Sequence, residues 1–430
     1  MSSGWPTVEI DQVCTLIVDC VNKTAPVVDS PTPYRMIRTT NIRHGRIDLS
    51  SCRFVDEATY TKWTRRALLH YGDVLLTREA PIGEVGFVDQ PHGLFLGQRV
   101  MQYRADPTVL SPRFLLYVFL SPALQHQFGS HEGSGSVVSH IRVGDCFKFK
   151  VKLPPLAVQT EIAALLAALD DRITLLRETN ATLEAIAQTL FKSWFVDFDP
   201  VRAKMEGRAP EGMDETTAAL FPDGFEESES ELRLMPRGWQ VHALDEVANY
   251  LNGLALQKFP PTDDAWLPVI KIAQLRKGDT VGADRAGRNI KPDYVIQNGD
   301  VLFSWSGSLE VEIWCGGEGA LNQHLFKVTS DKYPKWFYYL WRKHHLEHFR
   351  QIAASKATTM GHIQRVHLNQ AKVVTPPAEF VLAAGEYIAP LLDRWITTAL
   401  QAQTLATLRD TLLPRLISGQ IRIAEVTEQI

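Results

Sequence analysis

The sequence predicts an α+β fold in which two similar domains with curved β-sheets are joined by two long antiparallel coiled-coil helices in a pseudo-twofold arrangement. The first observation behind this prediction is a repeat within the 430-residue chain. Trp5 and Trp239 begin closely similar segments, and the tetrapeptide at residues 72–75 recurs unchanged at residues 299–302. A period of over 200 residues is too long for a solenoid or propeller repeat, so the chain holds two whole domains of one type.

The second observation is a heptad pattern of apolar residues that follows the first copy. Leucine or isoleucine recurs every seven positions at Ile162, Leu169, Leu176, Leu183 and Leu190. Each of these positions is followed by a second core position four residues further along the chain. Asn180 occupies one position of this second set. Alternating steps of three and four residues are typical of a coiled coil. They predict one helix from Val158 to Phe195 with a length of about 57 Å.

The second copy carries a weaker form of the same seam 222 residues later. Thr398 and Arg409 occupy core positions there. Pro390 is expected to kink or delay this helix, and Pro414 is expected to end it near Leu413. Two such helices pack most simply on each other as an antiparallel pair. The alternative is that each helix packs separately on its own domain.

These patterns divide the chain into six segments. Short apolar runs broken by glycine, proline and asparagine predict strands and turns in each large domain, with one helix late in each, around residues 112–128 and 334–352. The segments are a first large domain (residues 1–152), a central helix (153–200), an acidic linker or exposed loop (201–235), a second large domain (236–375), a distal helix (376–420) and a C-terminal tail (421–430).

Positive charge is concentrated in the two large domains, although the whole chain carries a net charge of −4. Residues 1–150 contain 16 Lys and Arg against 14 Asp and Glu, and residues 236–375 contain 17 against 13. The acidic excess lies in the segments that join and follow these domains. A modest positive charge favours nucleic acid slightly over a solvated surface.

The overall composition is that of an ordinary globular protein, with 45% hydrophobic and 22% charged residues. No apolar run approaches the ~20 residues of a membrane helix, and no signal peptide is expected. The five cysteines are odd in number and lack C-x-x-C spacing. This usage indicates reduced thiols in a cytoplasmic protein, without a disulfide frame or a zinc knuckle.

The sequence lacks the motifs of the common catalytic and cofactor-binding classes. It has no phosphate-binding loop, no dinucleotide fingerprint, no Asp/Asn-Pro-Pro-aromatic motif of adenine methyltransferases and no common nuclease motif. His344 and His348 lie one helical turn apart, a spacing that zinc can use. Without an evident third ligand, a polar helix face is the preferred interpretation. We therefore expect a chain that is not an enzyme and that binds neither a cofactor nor a metal.

Three segments carry a family resemblance. Residues 153–162 read Leu-Pro-Pro-Leu-Ala-Val-Gln-Thr-Glu-Ile, and residues 190–200 read Leu-Phe-Lys-Ser-Trp-Phe-Val-Asp-Phe-Asp-Pro. Residues 416–419 close the distal helix with Leu-Ile-Ser-Gly. Together they resemble the conserved regions of type I restriction-modification specificity subunits, and the resemblance covers nearly the whole chain. Residues 378–382 depart from the family pattern, because they lack the equivalent of residues 159–162.

The resemblance implies that the chain chooses a DNA sequence and does no catalysis itself. Residues 1–152 and 236–375 would be target recognition domains, each reading one half of a bipartite double-stranded DNA target across a helical spacer. Two methyltransferase subunits would dock on the chain and bind S-adenosylmethionine, and restriction subunits with motor and nuclease activity would join them. Half-sites on one face of B-DNA lie ~34–36 Å apart. Because the loops of the two copies differ, the full target is expected to be asymmetric.

Two other classes of protein are compatible with a duplicated, partly basic chain. A two-domain transcription regulator would bridge separated DNA sites, but it usually shows a helix-turn-helix or a ligand pocket, and the sequence indicates neither. A non-catalytic assembly scaffold would not contact DNA, which the basic loops of both large domains disfavour. Co-purification with an adenine methyltransferase would discriminate a specificity subunit from both.

Polar residues that match between the copies and fall in predicted loops are the candidates for DNA binding. Arginine can grip guanine O6 and N7, and asparagine or glutamine can grip adenine N6 and N7, while other side chains would hold phosphates. The alternative is that a matched polar residue caps a turn, and for His140 and His362 the two interpretations have equal weight. The candidates are Arg38, Thr40, Asn41, Arg43, Arg78, Gln98, Arg99, Ser136 and His140 in the first copy, and Lys271, Gln274, Arg276, Ser304, Ser306, Ser308, Asn322, Gln323, His324, Thr358 and His362 in the second.

Overall fold

The chain divides into two compact units in the computed structural model. The first comprises Met1–Arg172 and Leu405–Ile430, and the second comprises Ile173–Thr404. Each contains one copy of the repeat and part of two long helices, Leu156–Phe195 and Ala378–Ile417, which we call the proximal and distal helices. The structure describes residues 4–21, 23–130, 140–227, 234–262, 265–355 and 361–427.

The first unit consists of short strands and short helices besides its share of the long helices. Its strands are Thr7–Glu9, Cys14–Asp19, Arg35–Ile37, Ile42–Arg43, Arg46–Ile47, Arg53–Phe54, Val74–Arg78, Ile82–Phe87, Leu94–Leu96, Val100–Ala105 and Lys150–Lys152. Its helices are Glu57–Trp63, Pro112–Leu120, Pro122–Gly129 and Ile423–Thr427, with single 3-10 turns at Ile10–Val13, Thr39–Asn41 and Val143–Phe147. The one late helix expected near residues 112–128 is thus two helices. Pro122 occupies the first turn of the second one, where its missing N–H costs nothing.

A four-stranded antiparallel sheet forms the centre of the first unit. Its strand order is Cys14–Asp19, Val100–Ala105, Val74–Arg78 and Ile82–Phe87. Alternate side chains of a strand point to opposite faces. Val74 and Leu76 join the cluster that includes the late helices, and Leu75 joins a second cluster on the other face. Burial on both faces explains why the strand reads as an unbroken apolar run.

The second unit contains its own set of short elements. Its strands are Phe225–Glu227, Leu234–Pro236, Gln240–Ala243, Asn249–Asn252, Trp266–Ile270, Arg285–Gly287, Val295–Ile296, Val301–Ser304, Val311–Ile313, Gly319–Leu321, Leu325–Thr329 and Lys372–Thr375. Its helices are Asp199–Met205, Glu215–Leu220, Leu244–Val247, Ile272–Lys277, Lys335–Ser355 and Arg365–Gln370, with 3-10 turns at Leu256–Lys258 and Pro292–Tyr294.

The sheets of the second unit repeat those of the first. Its four-stranded antiparallel sheet has the order Asn249–Asn252, Leu325–Thr329, Val301–Ser304 and Val311–Ile313. Both units also contain one parallel pair, Arg35–Ile37 with Leu94–Leu96 in the first and Trp266–Ile270 with Gly319–Leu321 in the second. The duplicated α+β domain predicted from the repeat is therefore confirmed.

In the first unit, the start of the proximal helix packs on the end of the distal helix. Ile162 and Leu166 share a buried cluster with Leu412 and Leu416. Next to this seam, the Arg409 guanidinium lies 2.7 Å from the Asp170 carboxylate. Asp170 also accepts a hydrogen bond of 2.8 Å from the Tyr117 hydroxyl on a late helix of the same unit.

In the second unit, the end of the proximal helix packs on the start of the distal helix. Asn180 meets Thr398, and further along the Trp194 ring lies 5.5 Å from the Tyr387 ring. Because the later residue of one helix meets the earlier residue of the other, the two segments run antiparallel. The core position predicted for Thr398 is confirmed, since Thr398 is only 1% exposed, and Asn180 lies on the same seam but is partly buried.

Two prolines lie inside the distal helix, so the expectations of a delayed start at Pro390 and of an end near Leu413 were wrong. The helix is continuous from Ala378 to Ile417; Pro390 does not delay its start and Pro414 does not end it. An internal proline frees the carbonyl of the residue four positions earlier, which is Glu386 for Pro390. Both residues are exposed, so water can hydrate the freed carbonyl. Burial of the opposite face then outweighs the local cost of the proline.

The described part of the acidic segment, residues 201–227 and 234–235, is not the linker or exposed loop that composition suggested. Val201 and Phe221 are buried in the aromatic core of the second unit. The Tyr387 hydroxyl of the distal helix donates to the Asp214 carboxylate at 2.6 Å. Strand Phe225–Glu227 pairs with Leu234–Pro236. The apolar residues scattered among the acidic ones therefore decide the structure of this segment.

Candidate nucleic-acid interface

In the first unit, three distant chain segments meet at one end of the four-stranded sheet. Arg78, the last residue of its strand, donates its backbone N–H to the Arg99 carbonyl at 2.8 Å. The backbone N–H of Ile141 donates in turn to the Arg78 carbonyl at 2.9 Å. We call the group Arg78, Glu79, Gln98, Arg99 and His140 the first rim.

The second unit builds the same arrangement. The backbone N–H of Trp305 donates to the His324 carbonyl at 3.3 Å, and the N–H of Ile363 donates to the Trp305 carbonyl at 2.9 Å. We call the group Trp305, Ser306, Gln323, His324 and His362 the second rim. The two rims thus share one backbone scaffold, and they bring together candidates that lie up to about sixty residues apart in sequence.

The side chains on this scaffold differ between the rims. In the first rim, Arg99 forms an ion pair with Glu79, with Nε 2.6 Å from Oε1. At the matching place in the second rim, the Ser306 hydroxyl lies 3.0 Å from Nδ1 of His324. An arginine–glutamate ion pair in one domain is therefore replaced by a hydrogen-bonded serine–histidine pair in the other.

The second rim is organised around an aromatic residue that the sequence patterns did not reveal. Trp305 stands where the first rim has Arg78, and its ring lies 5.8 Å from His324 and 6.5 Å from His362. The indole N–H of Trp305 donates to the Gln323 carbonyl at 3.2 Å. Candidates for DNA binding were chosen as polar residues that match between the two copies. Trp305 does not meet this criterion, because it is a tryptophan at the position where the first copy has an arginine.

Two further arginines that were predicted to contact DNA, Arg43 and Arg276, each lie beside a glutamate of their own unit. Arg43 Nε lies 3.8 Å from Glu84, and Arg276 Nε lies 3.6 Å from Glu310. Arg276 is 61% exposed, so the ion pair leaves most of its side chain in solvent. Both glutamates lie in or beside the strand that follows the rim loop, and as acidic residues they were not among the predicted DNA contacts.

The side chains of several candidates form hydrogen bonds within their own loop or turn, which is the alternative to DNA contact that was considered for matched polar residues. Asn41 is 1% exposed, and its side-chain oxygen accepts the Arg38 backbone N–H at 2.9 Å. Gln274 does the same for the Lys271 backbone N–H at 3.3 Å. Both amides thus stabilise the first turn of a short helix in this structure. Lys271 is exposed and pairs with an acidic neighbour.

Two further candidates shape the loops of the second rim. The Ser304 hydroxyl is buried and donates to the Ser308 carbonyl at 2.7 Å, while it accepts the Glu310 N–H at 2.7 Å. Asn322 is buried and accepts the His324 N–H at 3.2 Å. The Ser304 and Asn322 side chains therefore stabilise the conformation of the second-rim loops. Ser308, in contrast, takes part through its backbone carbonyl and is itself exposed.

The remaining candidates fall into two groups. Thr40 and His362 are exposed, His140 is partly buried, and Gln98 is partly buried with its side-chain oxygen 3.1 Å from the Thr24 hydroxyl. Ser136 and Thr358 lie outside the described residues. For every candidate, DNA contact stays a prediction.

The histidines of the late helix lie at a groove of about 350 Å³ in the second unit, lined in part by Phe195, Trp341 and His348. Burial lowers the pKa of His345 to about 4, and its ring lies 2.9 Å from the Lys372 carbonyl. Burial also lowers the pKa of His344 below its ordinary value. Within the described part of the chain, no group of three His, Cys, Asp or Glu is placed to hold a metal ion.

The cysteines are free thiols, and burial raises the pKa of Cys146 and Cys315 to about 11. Such thiols are protonated at neutral pH and are poor nucleophiles. No helix among the described residues is long and apolar enough to cross a bilayer. Neither finding adds a second candidate site.

Comparison with protein families gives one clear match. The model described as the type I restriction modification DNA specificity domain matches residues 2–185 and residues 236–409, one match for each copy of the repeat. The chain therefore belongs to this family of DNA specificity proteins. The two matches carry the first and second rims respectively.

Individual relatives agree with the family match. The chain is 24% identical over 399 residues to the type I restriction enzyme HindI specificity subunit of Haemophilus influenzae, covering 81% of this chain and 86% of that protein. It is 24% identical over 364 residues to the MjaIX specificity subunit of Methanocaldococcus jannaschii, covering 83% and 79%. A crystal structure of the type I restriction-modification S subunit from M. genitalium matches with a TM-score of 0.53 at 15% identity, covering 96% of each chain. At this identity the likeness shows the fold alone.

Proposed function

We propose that the chain is the DNA sequence-specificity subunit of a type I restriction-modification complex. Each recognition domain reads one half of a bipartite, asymmetric target in double-stranded DNA. The observation that carries this proposal is the pair of rims, in which one backbone scaffold presents Arg99 and Glu79 in one domain and His324 and Ser306 in the other. A shared scaffold gives both domains the same way of approaching DNA, and different side chains give them different sequences to read.

We propose that the chain contributes no catalysis. The sequence contains no motif for binding S-adenosylmethionine and none of a common nuclease. The cofactor is expected on two partner methyltransferase subunits, and restriction subunits join the complex through them. The proposal therefore places every bond-breaking step outside this chain, in a cytoplasmic complex.

The proximal helix offers a surface for such a partner. Within the second unit, Leu175 is 51% exposed and Ile186 is 43% exposed. Ile186 lies in a shallow apolar depression that also includes Ala181, Thr182, Ala185, Thr189 and Leu190. We propose that one methyltransferase subunit contacts this apolar depression.

Reconstitution tests the proposal. The purified chain alone should transfer no methyl group from S-adenosylmethionine to DNA. The chain mixed with the methyltransferase subunits of its own system should methylate a randomised DNA library at one two-part motif. The methyltransferase without the chain serves as the control. Turnover by the chain alone, or motif-free methylation by the mixture, would contradict the proposal.

A further inference from the structure

We infer that Arg99 reads a guanine in the half-site of the first recognition domain, and that Glu79 and Ser306 are positioning residues that orient Arg99 and His324. This inference rests on the proposed function and deepens it by naming one base and the side chains that select it. Glu79 and Ser306 occupy equivalent positions in the loop that follows a central strand of the sheet in each unit.

The register of the strands shows that Arg99 and His324 occupy equivalent backbone positions in the two units. Thr77 pairs with Val100, and Ser304 pairs with Leu325. Arg99 and His324 each precede the second residue of these pairs. They therefore enter the sheet from the same turn, and their carbonyls accept equivalent backbone hydrogen bonds.

Arg99 is held in a way that suits recognition of guanine. Its guanidinium contacts Glu79 through Nε at 2.6 Å, and the side chain is 51% exposed. An ion pair at Nε does not require the two terminal amino groups, which are the groups that can grip guanine O6 and N7 side by side. Glu79 is only 21% exposed, so most of its side chain is shielded from solvent.

The backbone of Arg99 supports the same assignment. Its φ is +70°, in the left-handed region that residues with a Cβ rarely adopt. Neighbouring contacts must hold the turn in this conformation, and such conformations concentrate at functional sites. The conformation fixes the direction in which the Arg99 side chain leaves the sheet.

His324 cannot offer the side-by-side pair of hydrogen-bond donors that Arg99 offers. Its Nδ1 lies 3.0 Å from the Ser306 hydroxyl, and its Nε2 lies 3.3 Å from the side-chain nitrogen of Gln323. Both ring nitrogens therefore already have neighbours, and an imidazole lacks the paired donors of a guanidinium. The second rim must accordingly select a base through a different set of donors and acceptors, which makes the two half-sites differ at this position.

The test uses the full chain in complex with its methyltransferase subunits and a randomised DNA library. Arg99→Ala should lower discrimination at a single G·C pair of one half-site by about 5- to 150-fold, and Arg99→Lys should lower it at the same pair by a smaller factor. Lysine keeps the charge but has no planar fork, so it separates base reading from phosphate attraction. Every other position of the motif should keep its preference.

Glu79 is tested by a matched pair of variants. Glu79→Ala should lower discrimination at the same G·C pair as Arg99→Ala, while affinity for non-specific DNA does not fall, because the change removes a negative charge. Glu79→Gln should restore most of the discrimination, because it keeps a side-chain oxygen of the same size and reach beside Nε of Arg99. Ser306→Ala should broaden the preference of the other half-site only. A misfolded rim would lower both affinity and discrimination, and the glutamine variant would then not rescue it.

Some outcomes overturn the inference and leave the proposed function intact. If the unmodified complex methylates a two-part motif but the Arg99 and Glu79 variants change no position, or change all positions equally, Arg99 is not the reader. If the affected pair is A·T, the assignment of guanine is wrong. If the unmodified complex shows no sequence preference, the proposed function fails together with this inference.

Discussion

Asn180 and Thr398, 218 positions apart in the chain, meet inside the helix pair of the second unit, where the Thr398 hydroxyl donates to the side-chain oxygen of Asn180. The same hydroxyl also reaches the Arg394 carbonyl of its own helix at 2.8 Å. Polar residues at core positions of a coiled coil lower its stability and specify how its helices align. This pair therefore marks one alignment of the proximal and distal helices.

Asn180→Leu is expected to raise the free energy of unfolding by about 1 kcal/mol, because it extends the apolar seam at a partly buried position. Thr398 keeps a partner, since the Arg394 carbonyl remains 2.8 Å away. Urea denaturation measures the change. Glu178→Leu, at an exposed position of the same helix, is the matched control and should have little effect. A decrease in stability in Asn180→Leu would show that the polar pair contributes more than the apolar packing that replaces it.

The second prediction concerns Lys343, whose ammonium lies 3.0 Å from carboxylate oxygens of both Glu184 and Glu312. Lys343→Met leaves these two largely buried carboxylates without their cation. The free energy of unfolding at neutral pH should fall by roughly 2–3 kcal/mol. Lys343→Arg keeps the charge and should recover most of that decrease in the same urea titration.

The effect of Lys343→Met should depend on pH in a defined direction. Burial raises the pKa of Glu312, and Lys343 opposes that shift. A carboxyl whose pKa is higher in the folded state lowers the stability as the pH rises through that pKa, and the stability returns on acidification. The stability deficit should therefore shrink as the pH falls through the raised pKa of Glu312 towards the ordinary pKa of a glutamate. A deficit that stays constant would mean that Glu312 is not the destabilised group.

The third prediction concerns the proximal helix, which contributes residues to both units between Leu156 and Phe195. Four residues inserted after Asn180 add about one helical turn, ~6 Å. The gap between the half-sites should then lengthen by one or two base pairs, at ~3.4 Å for each base pair. Methylation of libraries with variable gaps measures the change. An unchanged gap would show that the helix length does not set the distance.

The fourth prediction is that the two rims act independently. Gln323→Ala combined with His324→Ala should relax recognition in the second half-site, at a cost of about 1–3 kcal/mol for each bidentate pair of hydrogen bonds that the variant can no longer form with a base. The first half-site should keep its sequence, because no residue of the first rim is changed. Methylation of a randomised library by the variant complex measures both halves at once. If both halves degrade while the protein remains folded, the modular interpretation fails.

Much of the scaffold follows from the sequence, and the reasons are physical. The repeat and the heptads are regular patterns, and they predicted two domains, two long helices and the core positions of Asn180 and Thr398. The continuous distal helix was not predicted, because the cost of Pro390 is local whereas the burial that offsets it comes from the other helix. The folding of residues 201–227 was missed for a similar reason, since the contacts of Phe221 are all tertiary.

The rims were only half predictable. Arg99, Gln323 and His324 were found because polar residues recur at matched positions. Their neighbours Glu79 and Trp305 were missed, because one is acidic and the other replaces an arginine. Side-chain pairing between a loop and a turn about twenty residues away depends on strand register, which composition and motif spacing do not specify.

The interleaving of the two units has a consequence for how the protein is made. The core of the first unit includes Leu412, Leu416 and Val426, which follow the second domain in the sequence and are synthesised after it. The nascent first domain must therefore wait, incompletely buried, while the whole second domain is synthesised. A release of the chain before Leu405 would leave Ile162 and Leu166 exposed. Termination of synthesis before Leu405 is thus expected to damage the first domain, although its own residues 1–172 are already complete.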